Sequence, residues 1–175
     1  MLKRYPVVAL LFCAVMVVVL DQLTKLWVMA TFGLFESKTI ISGFFSLTYV
    51  TNSGAAFGFL AGDYGAWRHI FFVAVAIGAL VLIGFTYRHF RDRLLCVVAL
   101  GLIGGGALGN LIDRFRLGSV VDFLDFYVSG WHWPAFNVAD SAITTGVGLF
   151  LLENYLNERK MLAENINERQ QDHEK

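Results

Sequence analysis

Hydrophobic residues gather into four long runs, separated by shorter segments that are richer in polar residues. The runs lie at about residues 7–29, 67–87, 94–112 and 137–156. Each is long enough to cross about 30 Å of hydrocarbon as an α-helix. No small-residue cleavage site follows the first run, so we expect it to remain as a membrane helix. The pattern therefore predicts a mainly α polytopic membrane protein with four transmembrane helices.

The charges between the runs predict its orientation. The short loop at residues 88–93 contains three arginines, and basic residues also flank the first and last runs. Because loops rich in Lys and Arg stay in the cytoplasm, both termini and this loop are expected there. The flanking residues are Lys3, Arg4, Arg159 and Lys160. The segments at residues 30–66 and 113–136 would then lie on the outer side.

The first outer segment has a different pattern from the helices. Polar and apolar residues alternate at residues 38–41 and 44–50, with many β-branched and aromatic side chains. This pattern predicts short strands resting on the membrane surface, a small β-rich subdomain inserted at about residues 30–66. Residues 157–175 are polar and read as a cytoplasmic tail, either a frayed helix or disordered. A single four-helix domain would thus occupy residues 1–156.

Composition narrows the class of protein. Of 175 residues, 57% are hydrophobic and only 16% are charged, which is too apolar for an ordinary soluble domain. The net charge is zero, so no nucleic-acid partner is expected. Cys13 and Cys96 lie in apolar runs without metal-ligand spacing, and we expect neither a metal nor a cofactor. Gly101, Gly105 and Gly109 form a small-residue stripe that predicts close helix packing.

Two aspartates stand out because carboxylates are costly at membrane depth. Asp122 and Asp140 both lie in apolar surroundings near the outer ends of the predicted helices. If they met, they could share a proton and activate water. Asp140 could instead complement the dipole of the last helix, for which Asn137 is a good N-cap. The rival partners for a carboxylate pair are Asp21, Asp113 and Asp125.

Other polar residues near the outer side have structural interpretations. Asp21 and Lys25 are four residues apart, so they share a helix face and can pair. The alternative for Lys25 is snorkelling to the interface. We expect Asn110 to form a cross-helix hydrogen bond, and Asp113 and Arg114 to act as structural ties.

Five motifs in order then carry a family resemblance. They are Asp21-Gln22-Leu23-Thr24-Lys25, Asn52-x-Gly54-Ala55-Ala56-Phe57-Gly58, Gly109-Asn110-x-x-Asp113-Arg114, Val120-Val121-Asp122-Phe123 and Phe136-Asn137-x-Ala139-Asp140-Ser141. Together they resemble the motif set of the bacterial lipoprotein signal peptidases (signal peptidase II). The resemblance covers about residues 21–152.

The resemblance implies a membrane aspartyl endopeptidase of the bacterial plasma membrane, with its active site at the outer face. Its substrates would be prolipoproteins, cleaved before the diacylglyceryl-modified cysteine, and its other partners membrane lipids. Asp122 and Asp140 would be the catalytic dyad. Residues that bind substrate or support the site would be Asn52, Gly54, Asn110, Arg114, Asn137, Asp21, Lys25 and Asp113. We expect the protein to act as a monomer.

Two other functions remain open from the residues alone. A small transporter or proton channel would use membrane aspartates as ligands, but it predicts carboxylates at several depths. Here they gather toward one side. A non-catalytic scaffold would use the glycine stripe, yet it leaves the outer polar cluster unexplained.

Overall fold

The computed structural model describes residues 5–53 and 65–173. The helices of this part of the chain are α1 (Pro6–Thr31), α2 (Gly65–Phe90), α3 (Leu94–Leu117) and α4 (Val138–His173). The strands are β1 (Ser37–Ile41), β2 (Phe45–Asn52), β3 (Val120–Val128) and β4 (Trp131–His132). The protein is thus mainly helical with a small antiparallel sheet, as the sequence predicts.

Three helices of the described chain are long and apolar enough to cross a membrane, namely Pro6–Thr31, Ile70–Phe90 and Leu94–Leu117. They correspond to the first three predicted spans. α4 is not among them. Polar residues border its apolar stretch on both sides, Asp140 before it and Glu153 and Asn154 after it. The fourth span and the cytoplasmic position of both termini stay predictions. Beyond residue 156, α4 continues as helix to His173, so that part of the polar tail is helical and not disordered.

α3 is the central helix of the bundle. In its most apolar stretch 67% of the residues are buried, against 22% in α1 and none in α2. A Cβ atom on Gly101 or Gly105 would lie 2.7 Å from a backbone oxygen of α1, and one on Gly146 of α4 would lie 2.7 Å from the Ala99 oxygen of α3. These glycines let α1 and α4 approach α3 closely. The close packing predicted from the glycine stripe is confirmed.

The sheet has the strand order β1-β2-β3-β4, and all neighbouring strands are antiparallel. β1 and β2 confirm the strands predicted at residues 38–41 and 44–50. β3 was not predicted. Its first four residues, Val120 to Phe123, are all buried, so the alternation that marks a half-exposed strand is absent there.

A buried cluster and the short connection from α3 to β3 hold the sheet at one end of the helix bundle. Val121 and Phe123 of β3 form a buried cluster with Val28 of α1 and with Phe32, the residue that follows this helix. α3 ends at Leu117 and is capped by Gly118, whose φ of 74° lies in the left-handed region that favours glycine. Because the chain turns there directly into β3, the polar end of α3 lies beside Asp122.

Candidate active site

Asp140 is fixed by the first turn of α4. Its backbone N–H donates to the side-chain oxygen of Asn137 at 2.9 Å, and the backbone N–H of Asn137 donates to the Asp140 carboxylate at 3.3 Å. This reciprocal arrangement resembles a capping box, with the aspartate at the third helical position. The predicted N-cap role of Asn137 is confirmed. Asp140 also complements the positive end of the helix dipole.

Asp122 enters the same site from β3. Only 2% of its surface is exposed. The side-chain amide of Asn137 donates to its carboxylate at 2.7 Å, and Asn52 of β2 also forms a side-chain hydrogen bond with it. Asn137 therefore contacts both carboxylates, one through its side-chain N–H group and the other through the helix cap. We call Asp122 and Asp140 the aspartate pair.

A second amide completes the bridge between helices. The side-chain N–H of Asn110 donates to the Asp140 carboxylate at 2.7 Å, and its side-chain oxygen accepts from Asn137 at 3.2 Å. That oxygen also accepts from the Lys25 ammonium at 2.9 Å. The cross-helix hydrogen bond predicted for Asn110 is confirmed. It links α3 to α1 and α4.

The electrostatics of Asp122 follow from this packing. Burial, and secondly the nearby charge of Asp140, raise the pKa of Asp122 from its ordinary value of 3.8 to about 7. The hydrogen bonds from Asn137 and Asn52 oppose this rise in pKa, as does the more distant charge of Lys25. A carboxyl group with a pKa near 7 can hold a proton at neutral pH.

Lys25, Asp21 and Asp113 form a separate group, the lysine cluster. The Lys25 ammonium lies 2.8 Å from an oxygen of each carboxylate, and only 1% of the lysine side chain is exposed. The pairing predicted for Asp21 and Lys25 is confirmed. The snorkelling alternative is wrong, because a second carboxylate and the Asn110 oxygen keep the ammonium inside the protein.

The lysine cluster ties several elements together. Asp21 accepts from the Ala139 backbone N–H of α4 at 2.9 Å, and Asp113 accepts from the Val121 N–H of β3 at 3.1 Å. The Gln22 side chain donates to Asp113 at 2.9 Å. Gln22 was not predicted as a site residue, although its place beside Asp21 was a usable signal. The expected structural tie at Asp113 is confirmed.

Arg114 approaches the aspartate pair from the last turns of α3. Its guanidinium donates to the Asn110 backbone oxygen at 3.2 Å and lies 5.2 Å from the ring centroid of Phe72 in α2. It is also close enough to interact with the charges of Asp140 and Asp122. The structural tie expected of Arg114 is present as its contact with the Asn110 carbonyl.

A cleft of about 370 Å³ opens beside Asp140. Its walls combine two aromatic rings with three hydroxyl side chains of α4, and the lining residues are Trp133, Phe136, Asp140, Ser141, Thr144 and Thr145. These hydroxyls were not predicted as site residues. Their spacing from Asp140 places them on one face of a helix, which was a signal that could have found the cleft.

Asp125 lies apart from this site. Its carboxylate contacts the Nδ1 atom of His132 at 2.9 Å, on the hairpin of β3 and β4. Of the three rival partners for a carboxylate pair, each therefore has another partner, Lys25 for Asp21 and Asp113 and His132 for Asp125. Gly54 and the apolar residues after it lie outside the described residues. Within the described ranges, no group of three or more His, Cys, Asp and Glu side chains could hold a metal ion.

These features define a multi-pass helical membrane protein with carboxylates gathered at one end of its bundle. A sequence model described as Signal peptidase (SPase) II matches residues 13–156. A lipoprotein signal peptidase of Geobacter sulfurreducens is 52% identical over 143 residues, covering 81% of this chain and 88% of that protein. One of Syntrophus aciditrophicus is 46% identical over 158 residues, covering 90% and 98%.

A solved structure, described as a bacterial membrane enzyme determined by the in meso method at 2.3 Å, is 35% identical to this chain. It has a TM-score of 0.72 and matches over 85% of this chain and 88% of its own. The chain belongs to the signal peptidase II family and is a membrane protease. The predicted family is confirmed, and the transporter and scaffold alternatives are set aside.

Proposed function

We propose that this protein removes signal peptides from prolipoproteins, and that the aspartate pair activates the water that cleaves the bond before the diacylglyceryl-modified cysteine. One observation carries the proposal. Asp122 and Asp140 are bridged by the amides of Asn137 and Asn110, whereas an ammonium lies between Asp21 and Asp113. Two nearby carboxylates without a cation between them favour a shared proton.

The roles of the two carboxyl groups differ in this proposal. Asp122 carries the shared proton, since its pKa is raised to about 7 by burial and by Asp140. Asp140 borders the cleft and is the proposed base that accepts a proton from the attacking water. Asp122 donates its proton to the oxygen of the scissile carbonyl, and a tetrahedral intermediate forms.

Collapse of this intermediate breaks the carbon–nitrogen bond. The proton taken up by Asp140 passes to the leaving amine, and the carbonyl oxygen returns its proton to Asp122. The products are a signal peptide with a new carboxyl terminus and a lipidated cysteine with a free amino group. The pair ends in its starting protonation state, so neither a nucleophilic side chain nor a metal takes part in this scheme.

Substrate entry is proposed through the cleft beside Asp140. The hydroxyls of Ser141, Thr144 and Thr145 suit the polar groups of an extended peptide, and the rings of Trp133 and Phe136 suit apolar side chains. The diacylglyceryl chains would stay in the bilayer. We further propose that the protein lies in the bacterial plasma membrane with this end outward, because the arginines of the turn between α2 and α3 lie at the other end of α3.

The other site roles belong to the same proposal. Asn52, Arg114 and Asn137 line the substrate site together with Asn110, and the lysine cluster supports the fold around it. Gly54 is proposed as a site residue on the family resemblance alone. We propose that one copy of the chain is sufficient for activity, since both members of the aspartate pair come from the same chain.

The proposal is tested by cleavage of a diacylglyceryl-modified prolipoprotein by the purified full chain in lipid nanodiscs. Asp122→Asn and Asp140→Asn should each lower kcat by at least about 100-fold, the smaller end of what general acid–base groups contribute. Asp125→Asn is the matched control, because it makes the same change outside the site. Thermal unfolding checks that each variant is folded. If either dyad variant, correctly folded, cleaves at the wild-type rate, the dyad assignment is wrong.

A further inference from the structure

Arg114 can stabilise a negative charge on the aspartate pair only if its long side chain keeps the guanidinium beside the pair. The guanidinium is half-buried, and its hydrogen bond to the Asn110 backbone oxygen at 3.2 Å lies within its own helix. Among the described residues, this one hydrogen bond would leave the planar group free to turn about it. A second contact must therefore set its direction.

The Phe72 ring makes that second contact. Its centroid lies 5.2 Å from the central carbon of the guanidinium, which is within the range of a cation–π interaction. Phe72 is half-buried and sits on α2, which packs chiefly on α3. A neighbouring ring contacts it in turn, since the centroids of Phe71 and Phe72 are 5.2 Å apart. Arginine is well suited to this geometry, because its guanidinium is flat and weakly hydrated.

We propose that Phe72 is a positioning residue whose ring holds the Arg114 guanidinium beside the aspartate pair, where this cation favours the ionised partner. The inference rests on the proposed function of the pair. It gives α2 a part in the chemistry, although the hydrogen bonds to Asp122 and Asp140 come from the sheet, α3 and α4.

Other charges around the aspartate pair set the background for a pH measurement. They come from α1 and α3, and they act on the pair whether or not Phe72 is present. These groups are Lys25, Asp21 and Asp113. Because the lysine cluster is held by its own ion pairs, a change at Phe72 should leave it in place. The effect of Phe72 should then pass through Arg114 alone.

The test is the pH dependence of kcat/KM in the full-length protein. In Phe72→Leu, which keeps an apolar side chain but removes the ring, the midpoint of the acidic limb should rise by about half a pH unit. The direction follows because a less well placed cation stabilises the ionised carboxylate less. Phe72→Tyr and Phe72→Trp keep a ring, so their midpoints should stay close to that of the wild type.

Phe85→Leu is the matched control on the same helix. Phe85 also lies beneath an arginine, with the Arg88 guanidinium 5.8 Å from its ring centroid, but at the far end of α2. Its profile should match the wild type. A double variant tests whether Phe72 acts through Arg114. Arg114→Gln should shift the midpoint at least as far as Phe72→Leu does. Adding Phe72→Leu to Arg114→Gln should then cause no further shift of the midpoint.

Where Arg114→Gln turns over too slowly, the carboxyl ¹³C signals of labelled aspartates give the same titration without activity. The positioning role would be overturned if Phe72→Leu and Phe85→Leu had the same pH profile. It would also be overturned if the double variant shifted the midpoint further than Arg114→Gln alone. Activity near the wild-type rate in Asp122→Asn would instead refute the proposed function, so the two failures are distinguishable.

Discussion

Two groups of carboxylates lie side by side at one end of this helix bundle, and they differ in what stands between them. In the lysine cluster an ammonium lies 2.8 Å from each of two aspartates. In the aspartate pair the bridging groups are neutral amides. Asn110 contacts both groups, so they share nearly the same surroundings.

This difference shows how aspartates in nearly the same environment can have two roles, a structural one and a role in acid–base chemistry. An ammonium between carboxylates stabilises both negative charges, which fixes the side chains and favours a structural role. Amide N–H groups stabilise a negative carboxylate less than an ammonium does. Burial and the repulsion between the two carboxylates therefore favour a proton on one member of the aspartate pair. That proton is what acid–base chemistry requires. The comparison can be tested by removing each feature in turn.

Removing the ammonium should have the largest effect. Lys25→Met leaves two buried carboxylates without their cation, so we expect the free energy of unfolding to fall by about 3–5 kcal/mol. Lys160→Met is the matched control, since Lys160 forms an exposed ion pair with Glu164 at 3.8 Å, worth at most about 1 kcal/mol. Thermal unfolding in detergent measures both. Equal melting temperatures for the two variants would contradict a structural role for the lysine cluster.

The same substitution should have opposite effects in the two groups. The pKa of Asp122 is raised to about 7, so the folded state binds this proton more tightly than the unfolded chain does. Stability is therefore lost as the pH rises from about 4 to 7. Asp122→Asn removes this loss and should stabilise the protein above pH 7, by on the order of 1–2 kcal/mol.

Asp21→Asn should destabilise the protein at the same pH, because it removes an ion pair with the buried Lys25 ammonium. Unfolding of both variants at pH 5 and pH 8 separates the effects, because the gain for Asp122→Asn should be larger at the higher pH. If Asp122→Asn were less stable than the wild type at pH 8, the proposed protonation of the pair would be wrong.

The activity should follow the same proton. Because Asp122 must be protonated to donate to the carbonyl oxygen, kcat/KM should fall as the pH rises through about 7. This midpoint belongs to the pair as a unit. Cleavage rates between pH 5 and pH 9 measure it, with a pH-insensitive substrate and a check that the protein stays folded. A rate that still rises at pH 8 would assign the acid role to another group.

The sequence predicted most of the fold because membrane helices leave a strong hydropathy signal. The first three spans, the strands at residues 38–50 and the N-cap at Asn137 all have local causes. β3 lacked such a signal, since burial on both faces at its start removes the alternation. The buried position of the Lys25 ammonium has no local cause either, because it depends on an ion pair with Asp113 of α3, which is distant in the sequence.

The candidate site was only partly predictable for the same reason. Residue type and apolar surroundings marked Asp122 and Asp140, but only the family resemblance separated them from the rival aspartates, because their physical partners are not visible in the sequence. The structure provides those partners, Lys25 for two of them and His132 for Asp125. Nor does local sequence indicate that Asn110 and Asn137 bridge the pair, since this depends on the packing of α3 against α4.

The smallest effect is expected where a carboxylate pairs at the surface. His132 is 54% exposed and Asp125 14%, so water screens their contact at 2.9 Å. Asp125→Asn should change the free energy of unfolding by less than about 1 kcal/mol and leave the cleavage rate near that of the wild type. Asp122→Asn and Asp21→Asn, measured in the same assays, give the scale. A loss of activity in Asp125→Asn as large as that in Asp122→Asn would mean that the hairpin of β3 and β4 takes part in the chemistry, and the contrast between amide-bridged and cation-bridged carboxylates would no longer explain the site.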